Sequence, residues 1–298
     1  MKKIVISLAT ALAATSAFAG GLLTTTSQNA HYLRFFTQDA NITLSSLYAN
    51  PAGQAFLHNG WHMGISSMTA IQSRTIDTTF PAFALNTNNP NPTHTFKGEA
   101  FAPVVPSVDV TYNQDKWSIS AHLGLVGGGG ACEFENGLGS LEALTIQSGI
   151  AAFGPQNFKN YSLNSYMKGK QYYFGLQVGA TYKVLDNLAV YGGIRGVYAT
   201  CNYNGFVEDV TVNGTATGTE LSLNCDQVGF GVTPILGIHY RPNKHWELAA
   251  KYEFKTRIRL ENNSRMSEAA AAFAADPTHL LSQFADGKKI AEDMPALL

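Results

Sequence analysis

Charge is scarce in this sequence. Asp, Glu, Lys and Arg make up 14% of its 298 residues, against about 25% in soluble domains, and the two signs nearly cancel at a formal net charge of −1. Nucleic-acid binding, which needs a clear basic excess, is therefore excluded. Past the first twenty residues no apolar run is long enough for a spanning helix, so a membrane form of this chain has to cross as strands. Catalytic and nucleotide signatures are missing as well: there is no G-x-S-x-G, no H-E-x-x-H and no G-x-x-x-x-G-K-[ST]. The run Gly127 to Gly130 has no Lys-Ser or Lys-Thr to complete a phosphate loop. The three cysteines form no paired C-x-x-C, which excludes a zinc motif. His58 and His62 flank the turn Asn59-Gly60 and read as solvated turn residues rather than a metal pair. No catalytic residue, metal site or cofactor is expected.

What is present begins with an export signal. Lys2 and Lys3 give a positive start, Ile4 to Ala14 an apolar stretch and Ala17-Phe18-Ala19 a small-residue cleavage site, so residues 1–19 read as a secretory signal. Cleavage leaves Gly20 first, with no Cys after the cut to carry a lipid. Cys201 and Cys225 end successive alternating runs on either side of one polar loop. A disulfide between them, leaving Cys132 as the odd thiol, is one expectation; three free thiols is the other.

Residues 246–261 alternate almost strictly. Trp246, Leu248, Ala250, Tyr252, Phe254, Ile258 and Leu260 take one face, and Glu247, Lys251, Glu253, Lys255, Arg257, Arg259 and Glu261 the other. Side chains on a strand point to opposite faces with a period of two, so this run separates an apolar medium from a wet one. It is longer than the usual strand of about 5–6 residues and long enough to cross a bilayer at a tilt. Its charges are expected mainly to pair with neighbours. Six more strands precede it, at about 61–72, 104–112, 117–125, 171–183, 188–203 and 223–241. Short turns at 113–116, 185–187 and 241–244 alternate with long loops at about 73–101, 127–168, 204–222 and 262–292. That asymmetry is the habit of outer-membrane barrels, and 28 Gly with 17 Phe and 13 Tyr suit close strand packing and aromatic girdles. The fold class is all-β, an antiparallel transmembrane barrel over residues 61–298.

Two stretches break the rhythm. Residues 139–153 suggest a short apolar helix; in 264–292 an Ala-rich helix from Ser267 is followed by Leu280, Leu281, Phe284 and Ile290 at near-helical spacing. The second is either a helical loop resting over the barrel mouth or an exposed helix without a ligand role. An eighth strand begins at Asp293-Met294-Pro295. Seven strands cannot close a barrel of this kind, so the expectation is a C-terminally truncated chain.

Residues 20–60 lack sustained alternation and end in Asn50-Pro51-Ala52-Gly53. Asn50-Pro51-Ala52 resembles the NPA motif closing the N-terminal plug of the outer-membrane hydrophobic-substrate transporters, the family of long-chain fatty acid transporters and toluene channels. Ala102-Pro103, Leu123-Gly124-Leu125 and Asp293-Met294-Pro295 support it, in order and on the matching elements. The resemblance implies a monomeric fourteen-stranded barrel in the outer membrane of a Gram-negative bacterium, its lumen closed by residues 20–60. Its partners would be a hydrophobic small molecule and outer-membrane lipid. The resemblance also implies a third-strand kink at Gly124 that opens the wall sideways, and a mature N-terminus, Gly20 and Gly21, close to the ligand. The chain departs from the family in its loops: the docking helices there follow the fifth and seventh strands, whereas here the loop after the fifth is polar and a helix follows the third. The expected function is passive uptake of fatty acids or aromatic hydrocarbons. A general porin and a barrel lipid hydrolase, with His122 as the residue to mutate, are the other readings.

Overall fold

Alternation with a period of two becomes one antiparallel sheet in the computed structural model, which describes residues 28–34, 39–218 and 220–297. Its strands are β1 (Gly60–Thr79), β2 (Thr93–Gln114), β3 (Trp117–Phe134), β4 (Tyr161–Leu185), β5 (Leu188–Val212), β6 (Thr215–Ala216), β7 (Leu221–Asn243), β8 (Trp246–Glu253), β9 (Arg259–Met266) and β10 (Lys289–Ala291). The order is β1-β2-β3-β4-β5-β7-β9-β10, with β6 on β5 and β8 on β7. Sequence neighbours are thus spatial neighbours, a barrel-like meander; among the described residues no ladder joins β1 to β10.

Tight turns at 115–116, 186–187 and 244–245 lie at one end of the sheet, and Asp115 takes a left-handed φ of 49° to make the first. The opposite end carries the longer connections, which are shorter than the sequence suggested: 80–92, 135–160, 213–220 and 267–288. Strands of up to 25 residues take up the difference. Their outer halves put polar side chains on the exposed face, so the contrast that marks a strand in sequence fades there. In these connections sit helix α1 (Gly139–Phe153), helix α2 (Glu268–Ala275) and a 3-10 turn at Leu280–Phe284. Ser267 caps α2 by accepting from the Ala270 amide, and Glu268 follows in its first turn, where negative charge suits the helix dipole.

The alternating run 246–261 is not one strand. β8 and β9 lie along the same edge of β7, but between the pairs Ile235–Glu253 and Val228–Glu261 six residues of β7 face seven of the incoming chain. One extra residue exchanges the two faces of everything beyond it. In β8 Lys251 and Glu253 point inward and Leu248 and Tyr252 outward; past the irregularity Ile258 and Leu260 are buried and Arg257, Arg259 and Glu261 exposed. The expectation of a single lipid face from Trp246 to Leu260 is corrected on this point. The chain then returns along that edge, Lys289 pairing with Glu261, Ala291 with Arg259, Met294 with Thr256 and Leu297 with Glu253. Pairing starts a few residues before the expected Asp293.

Residues before β1 form 3-10 turns at Tyr32–Arg34, Leu44–Ser46 and Pro51–Phe56, and the last two are largely buried against the concave face of the sheet. An apolar cluster of Tyr48, Val126, Tyr173, Val197, Ala199, Ile258 and Leu260 fills the interior further toward the loops. A second, built on Phe83, Ile146, Phe158, Tyr161 and Val212, holds α1 to the strand ends.

Candidate functional site

The wall of the site has its polarity reversed relative to a soluble sheet. On β3, Ser118, Ser120 and His122 are buried, while Trp117, Ile119 and Leu123 are 39%, 56% and 49% exposed. The neighbouring strands repeat this: Gln177, Thr181, Arg195, Thr233 and His239 face in, and Leu176, Val178, Ile194, Leu236 and Ile238 face out. Exposed apolar side chains on adjacent strands form a continuous band, of the extent that marks a surface facing a membrane or a partner. Trp61, Tyr112 and Trp117 cluster at its turn-side edge with ring centroids 4.9 and 5.6 Å apart, and Tyr172 with Phe174 marks the other edge. From Tyr182 to Tyr172 the strand runs about 33 Å, which at the tilt of about 35–45° usual in barrels is a height of about 25 Å, compatible with a hydrocarbon belt.

Against the polar wall sits the segment that ends in Asn50-Pro51-Ala52. Pro51 opens the 3-10 turn, where its missing amide costs nothing, and Asn50 caps that turn by accepting from the Gly53 amide at 3.1 Å. The Asn50 amide nitrogen meets His239 Nδ1 at 2.8 Å, Thr181 donates to the Pro51 carbonyl at 3.0 Å, and Thr111 donates to Gln54 at 3.2 Å. Asn113 donates to the Ala55 and Leu57 carbonyls, and Ala52 packs on Tyr191 and Ile235. A Cβ on Gly53 would lie 2.5 Å from the Asn50 amide nitrogen and would push that side chain from its bonds to Gly53 and His239. The motif thus ties β2, β4 and β7 to one turn.

A second anchor is ionic. Arg195 is fully buried and grips Glu253 through two bonds of 2.7 Å, with Gln177 accepting from the same guanidinium at 2.7 Å. Lys251 donates to Glu253 at 2.5 Å and to the Tyr48 carbonyl at 2.8 Å. The Tyr48 ring lies under both cations, 4.4 Å from the Arg195 guanidinium and 4.5 Å from the Lys251 ammonium. Burial pushes the Tyr48 phenol up to about 12, against the opposing pull of Arg195, so a neutral ring meets the charges. Nearer β1, Asn29 donates to Asp109 at 2.7 Å, and Asp109 holds His122 Nδ1 at 2.7 Å. Lys251 and Glu253 stood out in the sequence as charges expected to pair. Arg195 did not, although a lone Arg at an inward position in Gly192-Gly193-Ile194-Arg195-Gly196-Val197 is a signal that could have found it.

Other expected residues fall as follows. Gly124 stays in register with Ser107 and Gly175; the ladder is lost beyond it, where β2 and β3 pair again only at Ala100–Cys132 and β3 bulges from β4 between Leu125 and Gly130. Gly128 and Gly130 take φ of +102° and +69°, and a Cβ on Gly128 would meet the Gln171 carbonyl at 2.4 Å. The irregular stretch is therefore 125–130. Gly20 and Gly21 lie outside the described residues. The disulfide is corrected: all three cysteines are free. Cys201 pairs with Gln227 and Cys225 with Tyr203, so the two are diagonal neighbours, a spacing of about 7–8 Å that a disulfide cannot bridge.

Above the ionic anchor, at the loop end, opens a cavity of about 500 Å³. Leu138, Leu141 and Leu144 from the α1 side, Phe273, Leu280, Leu281 and Phe284 from the α2 side, and Met167, Phe206, Leu223 and Leu260 from the strands line it. Volume and lining are those of a small-molecule site. The roof is fixed by Glu142 of α1, buried and accepting from Asn86 at 2.7 Å and the Tyr161 hydroxyl at 2.8 Å, and bonded to His94 at 2.8 Å. Leu280, Leu281, Phe284 and Ile290, the four residues whose spacing stood out in the sequence, all face this space.

No family model and no curated protein matches the chain. A solved structure described as the CymD monoaromatic hydrocarbon channel aligns over 75% of this chain and 84% of its own length, at 12% identity and a TM-score of 0.25.

Proposed function

We propose that this protein is an outer-membrane channel for the passive entry of hydrophobic molecules, of the size of fatty acids or aromatic hydrocarbons, with the segment that ends in Asn50-Pro51-Ala52 as a plug in its lumen. The observation that carries this reading is the apolar cavity of about 500 Å³ beneath α1 and the 280–284 turn, at the loop end of a sheet whose turn-side outer surface is an apolar band. Ligand enters the cavity from the loop end, where leaving water is favourable at about 25 cal/mol per Å² of apolar surface. It then meets a polar wall closed by the plug, so it does not cross as an ion would. The stretch 125–130, where β2 and β3 part, offers a sideways way out into the bilayer. No energy source is needed, since the ligand's own gradient drives the flow.

The test is uptake of labelled hydrocarbon and fatty acid by cells whose outer membrane carries the protein, set beside single-channel recording. Saturable uptake that falls with Leu280→Asp, together with no steady ion current, supports the channel. Steady current with unselective uptake points instead to an open porin.

A further inference from the structure

The composition of the cavity lining points to which hydrophobic molecules it takes, an inference that rests on the reading above. Among the described residues that line it, none is Lys or Arg, and the one carboxyl side chain is Glu292. Glu292 is held in place: its backbone amide donates to the Ile258 carbonyl at 3.0 Å, and its side chain accepts from the Tyr173 hydroxyl at 3.1 Å. His279 also lines the cavity, but as an uncharged ring. It stacks on Phe273 with centroids 4.7 Å apart, and its Nδ1 accepts from the Leu281 amide at 3.2 Å, which fixes the neutral tautomer. Burial lowers its pKa further. Gln171 bonds to the Tyr203 hydroxyl and Gln227 to Asn262, so these amides are tied to the wall.

A carboxylate entering this space would find no cation to pair with and would sit against a fixed acid. Burying a charge unpaired is costly, and like charge close by raises the cost. A hydroxyl or a bare hydrocarbon meets neither penalty, and a hydroxyl can donate to Glu292. We infer that the cavity selects uncharged apolar ligands, such as hydrocarbons and aliphatic or aromatic alcohols, over fatty-acid anions of the same size.

The experiment compares decan-1-ol with decanoate at neutral pH, by equilibrium dialysis against the detergent-solubilised full chain. Decanol is expected to bind at least about tenfold tighter. Glu292→Gln is expected to narrow the ratio, and Glu292→Lys to favour decanoate. Decanoate binding as tightly as decanol to the unmodified protein overturns this inference and leaves the channel reading intact. Binding of neither overturns both. A ratio unchanged in both Glu292 variants, each shown folded by its heat-modifiable gel mobility, also overturns it.

Discussion

The turn-side and loop-side halves of the same strands are built on opposite rules. On the turn side the interior is Ser118, Ser120, His122, Thr181 and His239, and the exterior is Ile119, Leu123, Leu176 and Ile238. On the loop side the interior holds Phe96, Tyr173, Ile258 and Leu260, while Lys97, Glu99, Arg257, Arg259 and Glu261 lie outside. The first half has the pattern of a membrane wall, apolar outside and polar inside; the second resembles a water-soluble sheet around an oily core. On two strands the change is made by one-residue slips. The inward set of β2 passes from even positions to odd ones around Pro103–Val104, and the edge of β7 gains one residue between β8 and β9. Slips of this kind disrupt the ladder only locally and move every side chain beyond them to the other face. The apolar cavity belongs to the loop-side half, so the device that ends the exposed apolar band also gives the cavity its apolar wall.

That comparison can be broken hardest at the ionic anchor between the halves. Glu253→Gln leaves Arg195 buried without its partner, and the expected loss is about 3–5 kcal/mol of stability, read as a fall in the urea midpoint of unfolding in micelles. Next in size is a charge placed in the belt. Leu176→Arg is expected to cost about 2–4 kcal/mol in folding into lipid vesicles, whereas an Arg at Asn204, further along toward the loops, costs within about 0.5 kcal/mol. Equal costs at both sites would erase the distinction between the halves. Third comes the roof. Glu142→Ala removes the acceptor shared by Asn86, Tyr161 and His94 and is expected to cost about 1.5–3 kcal/mol, seen as faster protease cleavage within 135–160. Smallest is Phe284→Leu in the cavity, which trims one wall and is expected to weaken decanol binding several-fold, about 1 kcal/mol, with the unfolding midpoint unchanged.

Much of the turn-side half was legible in the sequence, because the contrast between the two faces is sharp there: Trp117 to Leu125 alternates without a break, and Trp246 to Glu253 breaks only at Ala249. The helix at 139–153 was legible from its apolar content, and so was the apolar face of Leu280, Leu281, Phe284 and Ile290. The slip at 254–258 was not. Ile258 and Leu260 are apolar at even positions, as Leu248 and Tyr252 are, and an added residue at a break leaves no mark in composition. The outer halves of β1, β2 and β4 were read as loops because their exposed faces are polar. Arg195, Glu253 and Tyr48 meet across strands and across 58 and 147 residues of chain, a closeness that only the folded sheet supplies.

A carbene reagent dissolved in the bilayer reads directly, on the reconstituted protein, which side chains meet lipid. The result expected is modification of Leu176, Leu236 and Leu248 with Ile258, Leu260 and His122 left unmodified. Modification of Ile258 and Leu260 to the same extent as Leu248 would mean one uninterrupted lipid-facing strand, and would contradict both the exchange of faces and the cavity that depends on it.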